Sequence, residues 1–204
     1  MGTIGPEESR DLHKTIASAG GDYMEAPVLG SLDEAKAGTL LVMAGGTQEQ
    51  FQRVAPVLKS LSSAPRLVGS IGQAATLKLA LNQLIAAETA AFALSLALIQ
   101  QSQVPVELFM AILKESALFA RTFEKKLPRL EARDYAHPNF STRHLLKDVE
   151  LFLTAARERQ LRSAGLTDVR DLLADAVVHG YGDADYSAMY EEISPRLKSS
   201  KQGR

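Results

Sequence analysis

The sequence predicts a predominantly helical chain in two parts, a small α/β layer followed by an all-α domain. Three observations predict it. Short apolar runs bounded by glycine alternate with helical segments only before residue 72. From Gln73 to Gln101, 29 residues run without proline or glycine. Beyond Gln101 the pattern is amphipathic helix after amphipathic helix, punctuated by Pro105, Pro138-Asn139, Gly165, Gly180 and Gly182. The expected divisions are residues 1–71, residues 72–194 and a polar, basic tail over 195–204.

In the first part, Pro6 suits a first helical turn and Glu7-Glu8 suit the positive end of the helix dipole, giving a helix to about Ala19, stopped by Gly20-Gly21. Tyr23–Leu29 reads as a strand that Pro27 confines to an edge or to its own last residues. Thr39–Ala44 is the clearest strand, continuously apolar between Gly38 and Gly45-Gly46. Thr47, with Gln50 three residues on, opens a capped helix that ends near Leu61. Arg66–Ser70 makes a third short strand. Together these pieces make half of an α/β layer rather than a whole one.

The second part opens with the long segment Gln73–Gln101, about 45 Å of helix. Between Leu79 and Ile99 it is apolar on nearly every face, as a buried helix is. It has the length of a bilayer span. Asn82, Gln83 and Glu88 stand against that reading, because a charge near mid-bilayer costs several kcal/mol. Helices are expected next at about Val106–Glu115, Arg121–Asp134, Ser141–Gln160 and Thr167–Gly180, with a short one over Tyr186–Ile193.

Composition narrows the chemistry. The 204 residues are 46% hydrophobic and 23% charged, ordinary for a globular chain that buries roughly 70% of its unfolded surface. Twenty-three basic residues against 24 acidic ones leave a net charge of −1, so no global charge recruits nucleic acid or an anionic membrane. The chain has no cysteine, which excludes disulfides, thiolate catalysis and sulfur-ligated zinc. Its first residues lack the basic then apolar pattern of a secretory signal, so a cytoplasmic location is expected. His13, His137, His144 and His179 form no metal-ligand pair, and no metal is expected. No Gly-x-Ser-x-Gly occurs, and Gly45-Gly46 reads as a turn pair.

Two places carry more. One is Glu25-Ala-Pro-Val-Leu-Gly-Ser31, followed by Gly38-Thr39-Leu40 and a strand. The other is Gly72-x5-Lys78-x3-Asn82 at the start of the long helix. Lys78 and Asn82 are four apart and share a helical face. Between Leu77 and Leu79 the lysine is partly desolvated, which lowers an ammonium's pKa and makes it a usable proton donor and acceptor. The spacing taken alone favours a plainer reading, in which Lys78 snorkels to solvent and Asn82 bonds a loop. Lys147-Asp148 on an amphipathic helix reads by itself as a solvated face.

Taken in order, the motifs resemble the β-hydroxyacid dehydrogenase family, which includes 3-hydroxyisobutyrate dehydrogenases, glyoxylate/succinic semialdehyde reductases and imine reductases. They are Gly2-Thr-Ile4, Glu25-Ala-Pro-Val-Leu-Gly-Ser31, Gly38-Thr-Leu40, Met43-Ala-Gly-Gly46, Gly72-x5-Lys78-x3-Asn82, Lys147-Asp148 and Gly182-Asp-Ala-Asp-Tyr-Ser187. The resemblance runs from residue 2 to about residue 194. It implies an α/β remnant of a Rossmann-type nucleotide-binding domain, ahead of a 6-phosphogluconate dehydrogenase-like all-α C-terminal domain. It implies NAD or NADP as cofactor and hydride exchange with a small hydroxy acid or aldehyde. Lys78 is then the general acid/base and Asn82 a substrate ligand. Val28, Leu29, Gly30 and Ser31 form the substrate loop, and Thr3 and Lys147 approach the cofactor. The helical domain implies a homodimer or tetramer.

Three departures stand out. Leu29 replaces the family's usual serine in the substrate loop, and Ser31 offers a hydroxyl two residues later. Ala74 replaces a glycine before Lys78. The family's opening βαβ unit with Gly-x-Gly-x-x-Gly has no counterpart in this sequence. That absence leads us to expect a truncated enzyme, or else a non-catalytic remnant or dimerisation module, with an exposed sheet edge. A lysine-dependent enzyme without nicotinamide ranks behind both.

Overall fold

Residues 1–196 are described in the computed structural model of the chain. They gather into two units: Met1–Leu84 with Leu146–Thr167, and Ile85–Leu145 with the residues from Asp168 onward. The fold is the one the sequence predicts, a small sheet with its helices and then a large helical part.

In the first unit, α1 (Pro6–Ser18) has proline in its first turn and two acids, Glu7 and Glu8, beside it. Three strands follow in the order β1 (Val28–Leu29), β2 (Leu41–Gly45) and β3 (Arg66–Gly69). β1 lies antiparallel to β2, with Val28 opposite Val42 and Leu29 opposite Leu41. β3 lies parallel to β2, joined through α3 (Gln48–Lys59). Thr47 caps α3 by accepting the Gln50 N–H at 3.1 Å, and the Gln50 side chain accepts the Thr47 N–H at 2.8 Å. Leu40, Val42, Ala44 and Leu58 form the buried core, with Met24, Val28, Phe51 and Leu67 packed on it.

β1 is much shorter than the predicted Tyr23–Leu29 strand. Pairing does extend backwards, since Glu25 and Gly45 exchange both backbone hydrogen bonds and the Pro27 carbonyl accepts from Met43 N–H. Pro27 has no N–H to return, so the ladder breaks there. A helix absent from the sequence reading, α2 (Leu32–Ala37), fills the link to β2. Its signals were local: Ser31 with Glu34 makes a capping box, and Gly38 ends it at φ +66°. The first unit also holds Gln73–Leu84 of the long helix α4 (Gln73–Gln101) and Leu146–Glu158 of α7 (Thr142–Glu158).

The second unit adds the rest of α4, α5 (Val106–Glu115), α6 (Arg121–Ala132), most of α8 (Ala164–Ala176) and α9 (Tyr190–Ile193). Its core gathers Phe92, Leu96, Met110, Leu130 and Tyr190, with the Phe92 ring stacked on Phe123 at 4.7 Å. α8 stops at Ala176, earlier than predicted, and gives way to a wider turn over Val177–Tyr181 in which Gly180 takes φ +93°. The predicted helix at 186–193 opens instead as a tight 3₁₀ turn (Tyr186–Met189), because Asp185 accepts from both the N–H and the hydroxyl of Ser187. α4 has the length and composition of a bilayer-crossing helix, and 44% of its apolar window is buried. The basic tail predicted from residue 195 lies outside the described residues from 197 onward.

Candidate active site

The site starts with a buried acid. Glu25 is 4% exposed and fixed by its backbone pairing with Gly45. Its carboxylate accepts the N–H groups of Gly72 at 2.7 Å, Ala74 at 3.1 Å and Ala75 at 3.4 Å. These are donors that the first turn of α4 cannot satisfy within the helix, and the negative charge meets the positive end of the dipole. A Cβ at residue 45 would overlap that carboxylate, so glycine is required there. Glu25 therefore pins the end of α4 that carries Lys78.

Lys78 is half-buried, next to the fully buried Leu79. Burial pulls its ammonium below the ordinary lysine value, the positive Lys147 adds to this, and Asp148 opposes it. One turn further on, Asn82 is 1% exposed and donates its Nδ2 to Asp148 Oδ2 at 2.6 Å. Asp148, 3% exposed, is also paired with Lys147 at 2.9 Å from its Oδ1. Lys147 in turn donates to the Thr3 carbonyl at 2.8 Å. Lys78 and Thr3 both line a cavity of about 250 Å³. Its other walls are the rest of Met1–Ile4, Ser9 and Leu12 of α1, Tyr23, Glu25–Pro27 and Ala75. The Ser9 hydroxyl and Tyr23 phenol hydrogen-bond at 2.9 Å.

The structure thus brings Lys78 to one cavity with Thr3, and links Asn82 and Lys147 through Asp148. Val28, Leu29, Gly30, Ser31, Asn82 and Lys147 are not among the residues lining that cavity. Val28 and Leu29 pair with β2, and the Ser31 N–H and hydroxyl both donate to Glu34 at 2.7 and 2.5 Å. Sequence reasoning missed Glu25 and Asp148 as organising groups. The signal for Glu25 was an acid inside the apolar run Tyr23–Leu29, since a buried carboxylate requires donors; the helix start that supplies them lies 47 residues further along the chain. No group of three or more metal-ligating side chains gathers among the described residues.

Lys78 thus stands half-buried on the wall of a small cavity, near the start of the long helix that follows the α/β layer. The comparisons agree on the fold. A 3-hydroxyisobutyrate dehydrogenase from Salmonella typhimurium superposes with a TM-score of 0.83 at 24% identity, over 93% of this chain and 67% of that one. Its counterpart from Mycobacterium tuberculosis superposes with a TM-score of 0.84 at 22% identity, over 94% and 67%.

The model for the NAD-binding domain of NADP-dependent 3-hydroxyisobutyrate dehydrogenase matches residues 72–193, and that for the NAD-binding domain of 6-phosphogluconate dehydrogenase matches residues 1–72. The chain belongs to the β-hydroxyacid dehydrogenase family. Among its relatives, glyoxylate/succinic semialdehyde reductase 1 of Arabidopsis thaliana is 28% identical, over 95% of this chain and 66% of its own length. The 2-hydroxy-3-oxopropionate reductase of Escherichia coli K12 is 31% identical, over 95% and 66%. The chain thus spans just under two thirds of the length of these relatives. NAD or NADP is the cofactor class of the family. The residues present fit its reacting end: Thr3 sits on the cavity beside Lys78, with the half-exposed Lys147 tethered to it. The sequence holds no Gly-x-Gly-x-x-Gly for the pyrophosphate.

Proposed function

We propose that this chain carries the catalytic lysine of an NAD(P)-dependent oxidoreductase that interconverts a small β-hydroxy acid and its aldehyde or keto form. The observation that carries the reading is Lys78, half-buried on the wall of a cavity and held below its ordinary ionisation by burial. Such an amine gives a proton to the substrate oxygen as a carbonyl becomes a hydroxyl, and takes it back in the other direction. Asn82, one turn along the same helix, helps to hold the substrate. Val28–Ser31, which do not line this cavity, are assigned to the substrate loop on the family resemblance alone, with Leu29 shaping which acid is accepted. Thr3 and Lys147 hold the nicotinamide end of the cofactor, which supplies or accepts the hydride when bound. Residues 1–71 act as the cofactor-side domain and residues 72–194 as the helical one, a division supported by the two family matches. We place the protein in the cytoplasm, with a small molecule rather than a membrane or nucleic acid as its partner.

A second reading is a non-catalytic dimerisation module. It is favoured by the exposed apolar side chains of the second unit: Leu94, Leu98, Leu108, Ile112 and Leu118 are 53–77% exposed. A second copy covering them makes a homodimer or tetramer in either reading. Calorimetry with NADH and NADPH on the 204-residue chain separates the two. Micromolar binding supports the enzyme reading, and a further loss of turnover by about 10²–10⁴-fold in Lys78→Ala assigns the proton to Lys78. No binding of either nucleotide leaves the dimerisation module.

A further inference from the structure

We propose that Asp148 is the positioning residue of this site: its buried carboxylate locks the Asn82 amide in one orientation, with Oδ1 kept as an acceptor for a substrate hydroxyl, and sets the field at Lys78. The inference rests on the proposed role of Lys78. It starts from an asymmetry in a buried pair. Asn82 and Asp148 are both almost wholly buried and joined by one short hydrogen bond, Nδ2 to Oδ2 at 2.6 Å. An ionised carboxylate only accepts, so the amide nitrogen must face it and the amide oxygen must face away. That oxygen is buried and has no hydrogen-bond partner. An orphaned acceptor in a dry place is an uncompensated cost that a ligand's donor removes. A hydroxyl carries such a donor, and a carbonyl does not. The amide therefore contributes more to binding the alcohol form than to binding the aldehyde or keto form.

The same carboxylate acts on two lysines. Lys147 is paired with it at 2.9 Å, and Lys78 feels both charges from the neighbouring helix. The other ionisable groups on residues lining the cavity are the Met1 amine, Glu25, whose carboxylate is committed to the start of α4, and the Tyr23 phenol bonded to Ser9. Asp148 is thus the negative group next to Lys78 that is not spent on a helix end. Removing it leaves Lys78 beside Lys147 alone, and removing Lys147 leaves Lys78 beside Asp148 alone.

The experiment is a pH titration of Lys78 by NMR after reductive ¹³C-methylation of the chain, with the signal assigned by its loss in Lys78→Arg. In Asp148→Asn, Lys78 loses its proton about one pH unit lower than in the parent chain, and in Lys147→Met about one unit higher. A purely structural Asp148 does not move the two variants in opposite directions. A change below about 0.3 pH units in Asp148→Asn, or the same direction in both variants, overturns the proposal. The double exchange Asn82→Asp with Asp148→Asn rebuilds the hydrogen bond with its polarity reversed. It restores the melting temperature while leaving alcohol oxidation impaired in kcat, and recovery of full turnover refutes the orienting role. The titration needs neither cofactor nor substrate. A shifted Lys78 in a chain that never turns over upholds the field and rejects the enzyme reading, whereas turnover with an unmoved Lys78 does the reverse.

Discussion

Glu25→Ala tests whether one carboxylate holds the catalytic end of α4 in place. The parent carboxylate accepts three N–H groups, two at ordinary hydrogen-bond lengths of 2.7 and 3.1 Å and one at the limit, 3.4 Å. A hydrogen bond to a charged group contributes about 1.5–3 kcal/mol, so the two good ones are worth about 3–6 kcal/mol together. Relief of the buried charge, and water entering from the adjoining cavity, offset part of this. The expected net cost is about 3 kcal/mol, a large share of a domain's stability of about 5–15 kcal/mol. For a chain of this length that lowers the melting temperature by about 6–12 °C. Thermal unfolding followed by circular dichroism at neutral pH measures it. Glu25→Gln keeps the shape but turns one acceptor into a donor aimed at other donors, so its loss falls between the two. Hydrogen exchange at the Gly72, Ala74 and Ala75 amides accelerates in both variants. A Glu25→Ala chain that melts within about 2 °C of its parent, with those amides still protected, refutes the capping argument.

Three further predictions follow from other parts of the chain. Lys126 donates to both oxygens of the fully buried Asp185, at 2.7 and 2.8 Å, with its ammonium 3.9 Å from the Tyr186 ring centre; Lys126→Met leaves that carboxylate without its cation and costs about 3–5 kcal/mol in urea unfolding, and a cost under about 1 kcal/mol dismisses the pair's importance. Because Lys78 ionises below its ordinary 10.5 in the folded chain, the unfolded chain binds more protons between the two values, and stability rises with pH there. Lys78→Met removes that rise and stabilises the chain at neutral pH; melting curves from pH 7 to 10 that stay parallel for the two chains contradict it. Leu29→Ser returns the hydroxyl that the family usually carries and increases turnover of small 3-hydroxy acids, at a stability cost of about 1 kcal/mol for a half-buried leucine; unchanged turnover removes Leu29 from the specificity argument.

What was legible in the sequence was whatever short-range chemistry decides. Gln73–Gln101 and Val106–Glu115 have the predicted bounds because no breaker lies within them and breakers flank them. The Thr47 cap was readable because both halves of its capping box lie within four residues. The same signal at Ser31 and Glu34 went unread beside the family loop it overlaps. Pro27 marked the Tyr23–Leu29 strand as irregular, but the sequence did not show that the missing N–H would cut it to two residues and leave the Glu25–Gly45 pairing as an isolated bridge. In the site, a spacing of four put Lys78 and Asn82 on one helical face, but only the family resemblance gave them roles. Asp148 was not readable, because a Lys-Asp pair on an amphipathic helix looks solvated until the helix is packed. In the fold its lysine is half-exposed while its acid is buried. Burial of a single face is a tertiary property that no local pattern carries.

The arrangement also explains why so apolar a helix carries polar groups where it does. Glu25 anchors Gly72, Ala74 and Ala75; Lys78 follows by one turn, Asn82 by another, and Asp148, Lys147 and Thr3 complete the chain of contacts. Residues up to 144 positions apart are tied by these few polar contacts, while the apolar side chains of α4 supply packing without direction. Hydrophobic burial tolerates a small slide or rotation of the helix, because it depends on area. Hydrogen bonds at 2.6–3.1 Å do not, because they weaken steeply with angle. The register of Lys78 on the cavity wall is therefore set at both ends by carboxylates, Glu25 behind it and Asp148 ahead of it. A substitution that spares the lysine but removes either acid acts on the position of the amine before it acts on its chemistry.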